Sequence, residues 1–261
     1  MINSIRELEA CMNGIPLSGL HDGIYIADIT HKPAELKINT ERIAGREGDR
    51  ILQKSWSKAE TTISFYLIGN SMQERQAACQ QIAEWAKKGT LETSDRPGQR
   101  LCCICAQAPT LGGAMQRLRT IEIRFTAYEL PFWEETIPTK VTMTGTSGSK
   151  SVFIPGNAEG ALVEAKASVE SGSLTAITLT AGSTSMAFTG GPLANDSNPM
   201  EITYDDQLIQ SIKRGNTSLI DKRTAASADD LLAKCGAINA FTFSGANVSA
   251  TVEFSVRGLW L

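Results

Sequence analysis

The residues of this 261-residue chain best able to bind a metal or attack a substrate are its six cysteines and two histidines. Three thiols crowd into "LCCICA", Leu101 to Ala106. Strand alternation puts Cys103 and Cys105 on one face and Cys102 on the other. Structural zinc asks for a C-x-x-C pair met by a second pair, and no such pair of pairs exists here. His21 and His31 show no ligand spacing either. The thiols therefore read as small buried hydrophobes, and no metal or cofactor is expected.

Other candidate chemistry is equally thin. "TGTSGSKS" superficially suggests a phosphate loop, but it lacks the glycine directly before Lys150. The following "SVFIPG" reads as strand where a phosphate loop needs a helix, so the stretch is a turn between strands. "GTSGS" fails the G-x-S-x-G pattern, and neither histidine has a context that would activate Ser147. Glu134-Glu135, Asp205-Asp206 and Asp229-Asp230 are sequence neighbours. Glycoside hydrolysis needs two carboxylates facing each other across a cleft, which neighbours do not provide, so these acids read as solvated turn residues. No catalytic residue is expected.

The totals bound the partners. A length of 261 residues and a mass of 28.1 kDa allow one large or two modest domains. A formal net charge of −3 gives no bulk attraction to nucleic acid or anionic lipid. Basic residues are scattered, without the interleaved aromatics of single-strand binders. Apolar runs such as "FYLI" are short, so no membrane insertion is expected. "MINSIRELEA" has mixed charge and no apolar core, so no signal peptide is read, and the thiols are expected to stay reduced in a cytosol.

The elements come next. "CMNGIPL" carries Asn13-Gly14, a strong hairpin signal. "GIYIADI" and "AELKINTERI" read as strands, and "ETTISFYLIG" alternates Ile63, Phe65 and Leu67 on one face. A helix is predicted over 71–88. Ser71 caps it, Glu74 reaches back as a capping box, and Ala78, Cys79, Ile82, Trp85 and Ala86 make one apolar stripe. Lys87 and Lys88 suit its negative end, with Gly89 in the left-handed position beyond it. "TLETSDRPGQRLCCICA" reads as two strands around a Pro97-Gly98 type II turn. "RTIEIRFTAYE" points Ile121, Ile123, Phe125 and Ala127 inward. "LPFWEETIP" breaks the pattern with two prolines.

Beyond about residue 139 the chain is rich in Thr, Ser, Gly and Ala, with frequent turn signals. That composition predicts an all-β sandwich or barrel. Its last strand, "VSATVEFSVRG", alternates Val248, Ala250, Val252, Phe254 and Val256 against polar neighbours. "ASADDLLAKCG" is either one short helical turn or an irregular loop. The expectation is a mainly β chain of two domains, residues 1–136 and 137–261.

"IAGREGDRIL", Ile43 to Leu52, sets two glycines around Arg46 and Glu47, with Asp49 and Arg50 following, between two strands. Two readings stand open. One is a hairpin loop with solvated charges. The other is a loop offered to another subunit or partner, with Arg46, Glu47, Asp49 and Arg50 fixing register.

Taken in order, several stretches resemble the distal tail protein (Dit-like) family of long, non-contractile-tailed bacteriophages and prophages. "MNGIPL" with "GIYIADI" is similar to the family's opening strands, and "GREGDRIL" to its Gly-Arg-acid-Gly loop. "TTISFYLIGNSMQERQAACQQIAEWAKKGTL" resembles its strand, helix and return strand. "DRPGQRLCCICA" is similar to its Asp-x-Pro-Gly turn, "IEIRFTAYELPFWE" to the strand closing its first domain, and "VEFSVRGLWL" to its ending. The likeness is strong for residues 1–135 and the last dozen. It departs in "GNAEGALVEA", which lacks the proline expected before that strand.

The resemblance implies an N-terminal β-sandwich carrying one helix and a C-terminal galectin-like β-sandwich. It implies a virion structural protein at the tail tip, made and assembled in the bacterial host cytoplasm. Six copies would close a homo-hexameric ring joining the tail tube protein to the tail-associated hub or tip protein, with a receptor-binding protein as a further partner. DNA would only pass through the lumen. The alternative is a carbohydrate-binding β-sandwich module. Sugar platforms need exposed aromatics, and residues 139–258 contain only Phe153, Phe188, Tyr204, Phe241, Phe243 and Phe254. Of these, Phe254, Phe241 and Phe243 are expected to point into the core.

Overall fold

The computed structural model describes residues 8–43, 45, 47–109, 120–128, 130–169, 172–194, 198–205, 208–245 and 248–261. It is mainly β with one α-helix. The chain separates into two compact units, Met1–Glu134 with Leu261, and Glu135–Trp260.

The first unit opens with a tight hairpin, β1 (Ala10–Met12) to β2 (Ile15–Pro16). Asn13 and Gly14 both sit at positive φ, 53° and 78°, as a type I′ turn requires. There follow β3 (Ile24–Lys32), β4 (Leu36–Arg42), β5 (Asp49–Trp56) and β6 (Glu60–Leu67). Next come the helix α1 (Met72–Trp85), then β7 (Lys88–Thr93), β8 (Gln99–Gln107), β9 (Thr120–Ala127) and β10 (Trp133–Glu135). The main sheet runs β2-β1-β7-β8-β9-β6-β3, with β10 beside β8, while β4 and β5 pair only with each other. Period-two alternation buries Ile63, Phe65 and Leu67 of β6 against Ile121, Ile123, Phe125 and Ala127 of β9. Gly98, at φ 77°, completes the Pro97-Gly98 turn between β7 and β8, closed by the Gln99 N–H donating to the Arg96 carbonyl.

The start of α1 follows the sequence. The Glu74 N–H donates to Ser71 Oγ at 3.1 Å, and the Glu74 carboxylate reaches back to accept the Asn70 N–H at 2.8 Å. His21 joins this cap. Its Nδ1 accepts the Gly23 N–H at 2.9 Å, so Nε2 carries the proton and donates to Glu74 Oε1 at 3.1 Å. The Asn70 N–H, then His21, hold the Glu74 carboxyl below its ordinary value. Ala78, Cys79, Ile82 and Trp85 form the buried stripe.

The end of α1 does not follow the sequence. The helix stops at Trp85 rather than at 88, because the sheet captures the next residues. The Cys105 N–H donates to the Lys87 carbonyl at 3.0 Å, and Lys88 already pairs with Ile104. No basic residue lies in the last turn, and Lys87 instead pairs with Glu84. Gly89 is a strand residue opposite Cys103, not a helix terminator. The proline-bounded stretch Leu130 to Pro138 likewise contains a strand, β10, whose Trp133 is among the largest fully buried side chains.

The second unit holds two sheets. One runs β11 (Thr139–Gly145), β21 (Ala250–Val256), β13 (Ala161–Val169), β16 (Met200–Tyr204), β17 (Gln210–Arg214) and β18 (Thr217–Ser218), with β19 (Leu232–Ala233) also beside β13. The other runs β12 (Ser147–Ile154), β20 (Ala237–Gly245), β14 (Ser173–Ala181) and β15 (Thr184–Ala194). Phe241 of β20 meets Phe254 of β21 at 5.5 Å between ring centroids, which marks the core between the sheets. Ala250, Val252, Phe254 and Val256 are all buried, as their alternation predicts, whereas Val248 precedes the strand and is only half-buried. "TGTSGSKS" is mostly strand: it holds the end of β11, the turn at Thr146 and the start of β12. Of the two readings of "ASADDLLAKCG", the irregular loop holds, ending in the short β19.

Candidate functional site

The stretch singled out for its charges lies at the tip of the β4–β5 hairpin. Glu47, Asp49 and Arg50 are exposed there, and Arg46 lies outside the described residues. Asp49 stands opposite Arg42, and Arg50 opposite Glu41, so each tip charge faces an opposite one across the ladder. Leu52 is the extra residue of a bulge between the pairs Asn39–Gln53 and Thr40–Ile51.

Every residue of β4, and every residue of β5 except Trp56, is exposed. At its root the hairpin is tied to the rest of its unit. Trp56 meets Phe132 edge to face at 5.4 Å. The Glu35 N–H donates to Ser57 Oγ, and the Ser57 N–H to the Glu35 carbonyl, both at 2.8 Å. Beyond the root, Leu36, Ile38 and Ile51 share one face and are 37%, 47% and 50% exposed. This stripe is what sequence reasoning missed. Its signal, apolar residues alternating with Lys37 and Asn39, is the pattern of an ordinary half-buried strand. A free two-stranded ribbon is marginal in water, and this one leaves an apolar stripe uncovered by its own chain.

A second cluster joins residues far apart in sequence. His31 Nε2 lies 2.8 Å from Asp95 Oδ2, and Nδ1 lies 3.1 Å from Thr61 Oγ1. Hydroxyl, imidazole and carboxylate thus line up as in a nucleophilic triad, but Thr61 is fully buried, so no substrate reaches it. The arrangement instead ties β3 and β6 to the β7–β8 turn. Trp133 meets His31 edge to face at 5.0 Å, and the Arg96 guanidinium lies over the Trp133 ring at 5.1 Å. Burial, with help from Arg96, pushes the His31 imidazole below its ordinary value against the pull of Asp95. Burial alone would raise the Asp95 carboxyl, but the nearby Thr93 hydroxyl and the hydrogen bond to His31 outweigh it and leave a net lowering.

Cys79, Cys103 and Cys235 are buried core residues, whereas Cys11, Cys102 and Cys105 are only half-buried. Burial pushes Cys79 up to about 11 and Cys103 up to about 12, far from the thiolate that attacks or binds metal. Cys102 donates to Glu134 Oε1 at 3.2 Å, beside the Arg100–Glu134 ion pair at 3.0 Å. Among the described residues, no group of three or more His, Cys, Asp or Glu side chains could hold a metal, and no helix is long and apolar enough to cross a membrane.

In the second unit, a shallow groove of about 220 Å³ lies on the outer face of the larger sheet. Lys166 stands between Glu253 and Glu201 on neighbouring strands, and pairs with Glu201 at 2.9 Å. Lys140 pairs with Glu253 at 3.0 Å. The charges compensate one another along the strands, and no aromatic ring lines the groove.

No family model matches the sequence, and no curated protein matches it. Solved structures do match the fold. The SPP1 Dit protein, solved as a paradigm of the hub adsorption apparatus in phages infecting Gram-positive bacteria, aligns with a TM-score of 0.67 at 15% identity. That alignment covers 96% of this chain and 98% of the Dit chain. A chain of the phage p2 baseplate, in its activated conformation with Sr, aligns with a TM-score of 0.50 at 11% identity over 97% and 98% of the two chains. Over nearly its whole length, this chain has the fold of the SPP1 Dit protein.

Proposed function

We propose that this chain is a structural, non-catalytic component of a phage tail tip or baseplate. Six copies form a ring that joins the tail tube to the tail-associated hub, leaving a lumen for DNA. The observation that carries this reading is the end-to-end correspondence with a hub protein's fold, with 96% of one chain on 98% of the other. The β4–β5 hairpin supports it, because a subunit that works by meeting copies of itself must display surface its own chain does not cover. Ring closure is heterologous, with one patch of each subunit meeting a different patch of the next. The hairpin tip, Arg46 to Arg50, faces another subunit or a tail partner. The protein resides at the virion tail tip, and a receptor-binding protein attaches to the assembled ring.

Glycan binding has weaker support. The groove of the second unit offers no stacking ring, and exposed Phe153 stands opposite exposed Ile238 on the smaller sheet, away from it. Native mass spectrometry with negative-stain imaging tests the main reading. Six-fold rings with a central hole are expected, formed by the protein alone or on addition of tube or hub protein. A chain that stays monomeric and binds neither overturns it.

A further inference from the structure

We infer that the apolar face of the β4–β5 hairpin docks onto a second copy of this chain, at an outward patch made by Tyr25, Tyr66 and Ile68. The inference rests on the ring reading and names both halves of its contact.

The donor half is the stripe of Leu36, Ile38 and Ile51, continuous with the rooted Trp56 through the pairs Leu36–Trp56 and Thr40–Ile51. One cation interrupts it, Lys54 opposite Ile38. The acceptor half lies on the main sheet. Tyr25 of β3 and Tyr66 of β6 are direct cross-strand partners, 56% and 37% exposed, and Ile68 follows at 49%. Their neighbours Ile24, Phe65 and Leu67 are buried on the opposite face, so both tyrosine rings point outward. Beside the tyrosines a row of Asp28, Ser64 and Glu122 crosses β3, β6 and β9, which puts two carboxylates next to the apolar patch. A stripe with a central lysine thus meets a patch with an acidic flank, which is complementary in polarity and in charge.

Placement makes the occupant a second copy. The hairpin leaves β3 after Lys32 and rejoins the sheet at Glu60, which are themselves cross-strand partners at one end of the β3–β6 ladder. Tyr25, Tyr66 and Ile68 lie at the other end, about 23 Å away at ~3.3 Å per residue. The hairpin is itself about that long. Its root is fixed by Trp56 on Phe132 and by the Glu35–Ser57 bonds, and both the stripe and the patch are exposed, so the hairpin does not cover its own patch. Each copy therefore carries a donor at one end and a different acceptor at the other, the head-to-tail pattern that closes rings.

Placing the photo-crosslinker p-benzoylphenylalanine at Ile51, in a mixture of ¹⁴N- and ¹⁵N-labelled chains, tests this. Mapping should find inter-chain adducts within residues 24–30 and 60–69. In parallel, Lys54→Glu should raise the concentration needed for assembly on the order of tenfold, and Asp28→Lys in the same chain should restore it. Rings whose adducts fall on another surface, or that ignore both charge changes, overturn the acceptor patch and leave the ring reading standing. A chain that yields no inter-chain adduct and stays monomeric with tube and hub protein present overturns both.

Discussion

Trp85 Nε1 donates to the Ile15 carbonyl at 2.8 Å, so α1 holds the opening hairpin by a polar bond as well as by packing. The same indole meets Phe125 of β9 edge to face at 6.1 Å. One side chain therefore joins α1, β2 and the central sheet. Trp85→Ala should cost the first unit about 3–5 kcal/mol, the range for emptying a buried aromatic site. Trp85→Phe should cost less but still measurably, since it keeps a ring against Phe125 and leaves the Ile15 carbonyl without its donor. Chemical denaturation of the three proteins checks the order; equal midpoints would remove the helix as a support of the sheet.

Gly89→Ala should destabilise the same unit although the backbone there is ordinary strand. A Cβ at position 89 would lie 2.2 Å from Asn13 Oδ1. That oxygen accepts the Thr90 N–H at 2.9 Å, so Asn13 cannot move aside without breaking one of the bonds that tie the first turn to β7. A cost of roughly 1–3 kcal/mol is expected from overpacking. The double variant Gly89→Ala with Asn13→Gly should recover part of it, because the clash disappears while the turn keeps its positive φ. A melting temperature for Gly89→Ala equal to that of the parent would contradict the close approach.

These two sites show what was legible in the chain. The start of α1 could be read because Ser71, Glu74 and the stripe up to Trp85 are local signals. Its end could not, because the sheet's capture of Lys87 and Lys88 depends on Cys105 and Ile104 of β8, further along the chain. The alternating strands of the core were plain, Ile63, Phe65 and Leu67 above all. The same alternation in Leu36 and Ile38 hid the hairpin, since period two says that a strand has an apolar face and not what covers it. His31, Thr61 and Asp95 meet across separations of 30 and 64 residues, and no local pattern announces that. Trp133 was masked by its flanking prolines, though burial against His31 makes it a core residue.

Stability of the first unit should fall on mild acidification through His31. Its folded pKa lies below the ordinary 6.5, so the unfolded chain binds the proton more readily. The contribution is complete above 6.5 and is lost as pH falls through the lower folded value. The lowered carboxyl of Asp95 has the same sign, and its contribution is lost only in stronger acid, below the ordinary 3.8. Denaturation midpoints measured from pH 8 to pH 5 should decline, and His31→Gln should flatten that decline whatever its effect at pH 8. An unchanged pH slope in the variant would place the titration elsewhere.

The tip of the hairpin offers a test that separates internal pairing from recognition. Arg42 faces Asp49 across the ladder, so Asp49→Arg sets like charges opposite one another and should weaken both the hairpin and any assembly that depends on it. Adding Arg42→Asp restores an opposite pair with the signs exchanged. If Arg42 and Asp49 serve only the hairpin, the exchanged pair should assemble like the parent. If the tip reads a neighbouring surface, as proposed, the hairpin recovers and assembly does not, because the partner now meets an inverted pattern. Sedimentation of the parent, Asp49→Arg and the double exchange at equal concentration should therefore show assembly in the first alone. Full recovery in the double exchange would reduce these charges to internal pairing and leave the apolar stripe as the docking element.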